Sequence, residues 1–182
     1  LKKLHKKIEI FQCDVTNRAQ VGTIVNKIFH LNTYINVLIN NAGIMKNSPL
    51  INLLNSNDRK HSFELFDDVI KTNLYSVFLM TSSVVDNMII HRNKGVIINI
   101  SSIASKGNLG QTAYSASKAS VNAMTKVWSK ELGPFGIRSI AISPGFIDTK
   151  GTHSAIDEKA LNSWIDKTPL KRTGRVEEII KS

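Results

Sequence analysis

Apolar residues run along this chain in two rhythms. Short β-branched runs read as strands: "IEIFQC" (8–13), "NVLIN" (36–40), "GVIINI" (95–100) and "IRSIAI" (137–142). Longer amphipathic stretches lie between them. Residues 18–31 place Val21, Ile24, Val25 and Ile28 on one helical face, and 63–90 reads as a long, largely apolar helix. A further helix covers about 112–132, with Gly133 as its stop and Pro134 just beyond, and 155–167 forms a shorter one. Strands that alternate with helices and are almost continuously apolar are buried on both faces, which predicts a parallel sheet with right-handed crossovers. The predicted fold is doubly wound α/β, a single domain over 1–182. The polar stretch "NLLNSNDRKHS" (52–62) interrupts the pattern and reads as a surface loop, a tolerated insertion rather than a binding loop.

Composition narrows the function classes. With 42% hydrophobic and 21% charged residues the chain is globular, and no apolar run approaches the roughly 18 residues of a spanning helix, so no membrane partner is expected. The basic start "LKKLHKK" has no apolar stretch behind it, so no signal peptide is visible, and the single Cys13 excludes an internal disulfide; both favour a cytoplasmic setting. A net charge of +10 raises the possibility of nucleic acid as a partner, but the basic residues are scattered and no zinc-ligand spacing or RNP-like stretch accompanies them, so none is expected. His5, His30, His61, His91 and His153 show no metal-ligand spacing, and no metal is expected. No Gly-x-Ser-x-Gly elbow supports a serine hydrolase.

Three clusters of small and polar residues follow three predicted strands: "NNAG" (40–43), "SS" (101–102) and "SPG" (143–145). Ligands of open parallel sheets bind outside the carboxyl ends of the strands, so the clusters line one crevice. Gly43 and Gly145 would let the backbone approach a ligand closely. Any one cluster could be an ordinary turn. Tyr114 and Lys118, four apart on the helix after "SS", share a face and can act on one object.

Six motifs in order, "CDV" (13–15), "NNAG" (40–43), "TN" (72–73), "NISS" (99–102), "YSASK" (114–118) and "PG" followed by Thr149, make the chain resemble the short-chain dehydrogenase/reductase family from about residue 8 onward. The resemblance implies an NAD(P)-dependent oxidoreductase that interconverts a carbonyl and a secondary alcohol. Such a reaction needs a proton donor or acceptor at the oxygen, and a phenol with a pKa of about 10 is suited to that role if a neighbouring ammonium lowers it. Tyr114 would be that acid or base and Lys118 its tuner, with Lys118 also bonding the nicotinamide ribose. By the same resemblance Ser102 would hold the substrate oxygen, and Asn73 would position a water linking Lys118 to solvent. Asp14 and Val15 would meet the adenine, and Asn41, Ala42 and Gly43 would run along the adenosine part. Pro144 and Gly145, with Ile147 and Thr149 at the carboxamide end, would complete the cofactor site.

The chain also departs from the family pattern. It contains no Gly-x-x-x-Gly-x-Gly turn, and it stops at "GRVEEIIKS" (174–182), so the expected fold is a Rossmann-type sheet incomplete at both ends, without its first βαβ unit and its last helix and strand. The stretch from Ser102 to Tyr114 is one residue short, so counting back from Tyr114 points to Ser101; the "NISS" register points to Ser102. The residue that separates NAD from NADP follows the second family strand, and either cofactor remains open. The stretches "NISSIAS", "ISPGFI" and "PLKRTGRVEE" are most similar to 3-oxoacyl-[acyl-carrier-protein] reductases, which implies a small-molecule or acyl-thioester substrate and a homo-oligomer, with 153–174 forming the pocket lid. The alternative is a non-catalytic or inactive fragment or subunit of the same fold.

Overall fold

The computed structural model describes residues 8–31, 34–149, 152 and 158–181. Its elements follow the predicted alternation: α1 (Arg18–Leu31), β1 (Val37–Asn40), α2 (Phe63–Ile70), α3 (Ser76–Ile90), β2 (Gly95–Ile100), α4 (Thr112–Glu131), β3 (Ile137–Ile142), α5 (Glu158–Lys167) and α6 (Val176–Ile180). The three strands are parallel in the order β1-β2-β3, with Ile39, Ile98 and Ile140 in one row. Each right-handed crossover steps the same way across the sheet, which puts the crossover helices on one face. The core lies there: Val21, Val25 and Phe29 of α1 and Val84, Val85 and Met88 of α3 pack with Ile97 and Ile137.

The predicted burial on both faces holds for that face and, on the opposite one, for Val96, which is 8% exposed. On the other, Val37, Ile39 and Ile140 remain 49%, 57% and 43% exposed, because no described element packs on them. The predicted strand at 8–13 is also absent as a ladder. A strand requires a paired neighbour, and no described segment pairs with it; instead Phe11 lies under Lys27 Nζ at 5.4 Å from its centroid, and Cys13 packs against the core.

The helices differ from prediction in detail. Ser62 caps α2 by accepting from Leu65 N–H at 3.1 Å. The expected single helix over 63–90 is two, joined by a π-helical turn at Lys71–Tyr75. Helix α4 ends at Glu131, and the left-handed residue that turns the chain is Gly136 (φ 71°), not Gly133. Of the predicted 155–167 helix, 155–157 lie outside the described residues. In the 52–62 loop Ile51 and Lys60 form an antiparallel bridge, and Leu53 and Leu54 are exposed, in keeping with a surface insertion.

A buried polar chain fastens the strand ends that matter most. Asn40 Nδ2 donates to Thr81 Oγ1 (2.9 Å) and Asn99 Oδ1 (2.8 Å), Asn99 Nδ2 donates to Thr125 Oγ1 (2.9 Å), and that hydroxyl donates to Val121 O (2.7 Å). It links α3, β1, β2 and α4 under the sheet's carboxyl edge. Asn99→Ala removes the middle of the chain and leaves a hole, so unfolding should become easier by about 2 kcal/mol, measured from the denaturant midpoint. An unchanged midpoint would show that the chain contributes nothing.

Candidate active site

Beyond β1 the loop 41–45 is held by Asn73, which is fully buried in the π-helical turn. Asn73 Oδ1 accepts from Ile44 N–H (2.8 Å), and Nδ2 donates to Ile44 O (2.9 Å) and Ser117 Oγ (3.3 Å). The π turn accommodates a residue that an α-helix would rotate elsewhere, a device common at functional sites. Gly43 needs its missing side chain here: a Cβ would lie 3.1 Å from Asn73 Oδ1 and 3.7 Å from Lys118 Nζ. The Asn73 side chain thereby grips the 41–45 loop.

The end of β2 separates the two serines by strand alternation. Ser101 is buried and its Oγ donates to Lys118 O at 3.1 Å, a bond that docks α4 on the sheet. Ser102 starts the tight turn Ile103–Lys106, accepts from Ala104 N–H at 3.1 Å, and shares a cavity wall with Tyr114. Ser102 therefore stands beside the phenol, and Ser101 faces the helix.

One turn along α4, Lys118 Nζ donates to Ile100 O at 2.7 Å and sits 5.7 Å from the Tyr114 ring centroid. Burial lowers Lys118 to about 8. Burial also pushes the Tyr114 phenol up, with the nearby Ser102 hydroxyl acting in the opposite sense. The expected lowering of the phenol by Lys118 is thus not met, because desolvation of the phenolate is the larger effect. A phenol kept protonated near neutrality is suited to give a proton away.

Lys118 makes stability depend on pH. Its value in the fold, about 8, lies below its ordinary 10.5, so the charged form is disfavoured on folding, fully so below pH 8. Between pH 8 and 10.5 the unfolded chain binds the extra proton, and stability rises with pH by at most about 1.4 kcal/mol per pH unit from this group. Denaturant titrations between pH 8 and 9.5 should show that rise in the wild type and a flatter profile in Lys118→Met; parallel profiles would remove Lys118 as the cause.

These groups border one opening. A cavity of about 240 Å³ is lined by Asn41, Gly43, Ser102, Tyr114 and Lys118, and closed by Pro144, Gly145 and Ile147 from the loop after β3. A second, of about 110 Å³, shares Met45, Ser102, Tyr114, Gly145 and Thr152 with it and extends to Asn108, Gln111 and Phe146. Val15 lines a third hollow beside Asn41 and Ala42. The loop after β3 is itself pinned, since Asp148 N–H donates to Gly174 O and Gly174 N–H to Phe146 O, each at 2.8 Å.

Two predicted residues stand apart. Asp14 lines none of these cavities; its carboxylate accepts from Thr16 N–H (2.9 Å) and Oγ1 (2.7 Å), a turn that leads into α1. Thr149 turns its hydroxyl to Thr152 (3.1 Å), and Thr152, which sequence reasoning passed over, lines the cavity instead. Met45, Asn108 and Gln111 were also missed. The one signal for them was an amide just ahead of the Tyr114 helix, in "NLGQTAY".

The open edge at Asn41–Gly43, with a glycine cradle that a Cβ would fill, fits a flat ring and ribose beside Lys118. Among the described residues no cluster of His, Cys, Asp and Glu could hold a metal.

The family profile described as short chain dehydrogenase matches residues 1–160. A 3-oxoacyl-[acyl-carrier-protein] reductase FabG of Thermotoga maritima is 41% identical over 174 residues, which are 95% of this chain and 67% of that protein. Its counterpart in Chlamydia trachomatis is 39% identical over 170 residues, 93% of this chain and 64% of the relative. A sorbitol-6-phosphate 2-dehydrogenase of Klebsiella pneumoniae is 31% identical over 185 residues, 91% of this chain and 67% of the relative. The crystal structure of gox2181 superposes with a TM-score of 0.81 at 26% identity, over 92% of this chain and 63% of that one. The chain therefore spans about two thirds of the length of the relatives it matches, and its fold is the predicted Rossmann-type α/β class.

Proposed function

The chain belongs to the short-chain dehydrogenase family, and from that premise we propose that it houses the reacting end of an NAD(P)-dependent oxidoreductase site that reduces a 3-oxoacyl thioester to the 3-hydroxy form. The observation that carries this reading is the convergence of Ser102, Tyr114 and Lys118 on the wall of one cavity. The nicotinamide, when bound, supplies the hydride. Of the dinucleotide that carries it, Asn41, Ala42 and Gly43 would hold the adenosine part, Val15 the adenine, and Pro144, Gly145 and Ile147 the carboxamide end.

Ser102 and Tyr114 offer two hydroxyls to one carbonyl oxygen. As that oxygen gains negative charge, both bonds strengthen in a partly dry pocket, where they stabilise more than in water. Tyr114, protonated at rest, then gives up its proton, and the ammonium of Lys118 stabilises the phenolate left behind. Asn73 acts as a positioning residue, through its clamp on Ile44. Behind the 145–147 loop a largely apolar hollow of about 520 Å³, with Trp164, Leu170 and Ile179 on its wall, offers room for an acyl chain.

The similarity to reductases named for acyl-carrier-protein substrates supports the thioester. The test is turnover of acetoacetyl thioester by the full-length gene product with NADH and with NADPH, followed by loss of reduced-nicotinamide absorbance. Turnover with at least one of them is expected; none with either contradicts the reading.

The second reading is a non-catalytic or inactive fragment or subunit of the same fold. The same assay separates the two. A homo-oligomer belongs with the enzyme reading, since Tyr75, Phe78 and Val127 leave apolar surface open on the helical layer, 52%, 53% and 49% exposed. A cytoplasmic location agrees with the lone thiol of Cys13, and among the described residues no helix is long and apolar enough to cross a membrane.

A further inference from the structure

Gln111 has no part in the proton transfer above, yet it borders the reacting groups. It precedes α4 by one residue, is only 6% exposed, and lines the 110 Å³ cavity with Ser102 and Tyr114. Its Oε1 accepts from Asn108 Nδ2 at 3.0 Å, and its Nε2 donates to Asn47 Oδ1 at 3.0 Å and to Met45 Sδ at 3.4 Å. The two hydrogens of Nε2 are thus unequally served. One meets an amide oxygen; the other meets a thioether, a weak acceptor. A buried N–H gains by exchanging such a partner for a carbonyl oxygen. Met45 borders the same cavity, and its unbranched side chain can give way.

We infer that Gln111 is a specificity-determining residue, whose second N–H takes the other carbonyl oxygen of a 1,3-dicarbonyl substrate while Ser102 and Tyr114 hold the oxygen being reduced. The inference rests on the reductase reading and adds a discriminating contact to it. Two carbonyl oxygens on carbons separated by one methylene can address two donors on the wall of one small cavity. Among the described residues that line this cavity none has a charged side chain, so a neutral thioester, ester or amide suits it better than a free 3-oxo acid. A simple ketone leaves the amide on sulfur and forgoes the contact.

The test compares acetoacetyl thioester with a monofunctional methyl ketone in the full-length gene product. Gln111→Met keeps length and removes the donor. It should lower kcat/KM for the thioester by about tenfold or more, chiefly through KM, and change the simple ketone by less than about threefold. Met45→Leu removes the competing sulfur and should lower KM for the thioester relative to the ketone. This second ratio decides the matter if Gln111→Met proves unfolded by its thermal melt. Equal losses on both ketones in Gln111→Met, or an unmoved ratio in Met45→Leu, overturn the role of Gln111 while the reductase reading stands. Failure of the wild type on both ketones overturns the reading beneath it, and this inference with it.

Discussion

Tyr114→Phe in the full-length gene product is expected to lower kcat for carbonyl reduction by about a thousandfold, with nicotinamide affinity within about threefold of wild type. The substitution deletes one oxygen and nothing else. Tyr114 lines the cavity beside Ser102, whereas the contacts that would hold the cofactor come from the 41–43 edge, Lys118 and the loop after β3. The loss should therefore fall on turnover and spare binding. Steady-state kinetics with a fluorescence titration of reduced nicotinamide separates the two. A variant that retains wild-type kcat would remove Tyr114 as the acid, and one that loses nicotinamide binding would make its role structural.

Gly95→Val is expected to cost at least about 3 kcal/mol, which for a chain of this size lowers the melting temperature by about 6–12 °C. Gly95 opens β2, where Asn36 O accepts from Val96 N–H at 2.9 Å. A Cβ at 95 would lie 2.3 Å from that same carbonyl oxygen and 2.7 Å from Met88 Cε. The methionine can move; the carbonyl cannot, without giving up its bond to Val96 and disturbing the first pairing of β1 with β2. Gly22 supplies the control. It sits inside α1 with nothing within 4 Å of an added Cβ, so Gly22→Ala should hold or raise stability by up to about 1 kcal/mol. Equal melting of wild type and Gly95→Val would contradict the close approach.

What the sequence made legible were elements whose apolar period is unbroken. Strands β2 and β3 begin and end where "GVIINI" and "IRSIAI" do, and α1 spans the predicted 18–31, because each run is bounded by polar or turn residues. The convergence of the three strand-end clusters with Tyr114 and Lys118 was legible too, since a parallel sheet places all its carboxyl ends at one edge. The π turn at 71–75 was not, because helical periodicity runs through it unchanged; the only sign was a buried-type demand from Asn73 amid apolar neighbours. Nor could periodicity reveal that Val37 and Ile39 stay open, since an apolar residue does not announce which element covers it. Direction of a pKa depends on burial, and spacing alone favoured Lys118 over desolvation at Tyr114. Gln111, Met45 and Thr152 escaped because amides, thioethers and threonines carry no spacing rule. Their place at the site comes from loops folding back on α4.

The most direct measurement of the central claim, that Ser102, Tyr114 and Lys118 frame one site for carbonyl reduction, is the fate of label from reduced nicotinamide in which both hydrogens of the reactive carbon are deuterium. Incubated with acetoacetyl thioester, the full-length gene product should place one deuterium on the new carbinol carbon, as read by mass spectrometry. The label should be lost from the product pool when Tyr114 is replaced by Phe. A hydroxyacyl product without deuterium, or no product with either deuterated nicotinamide, would contradict the account.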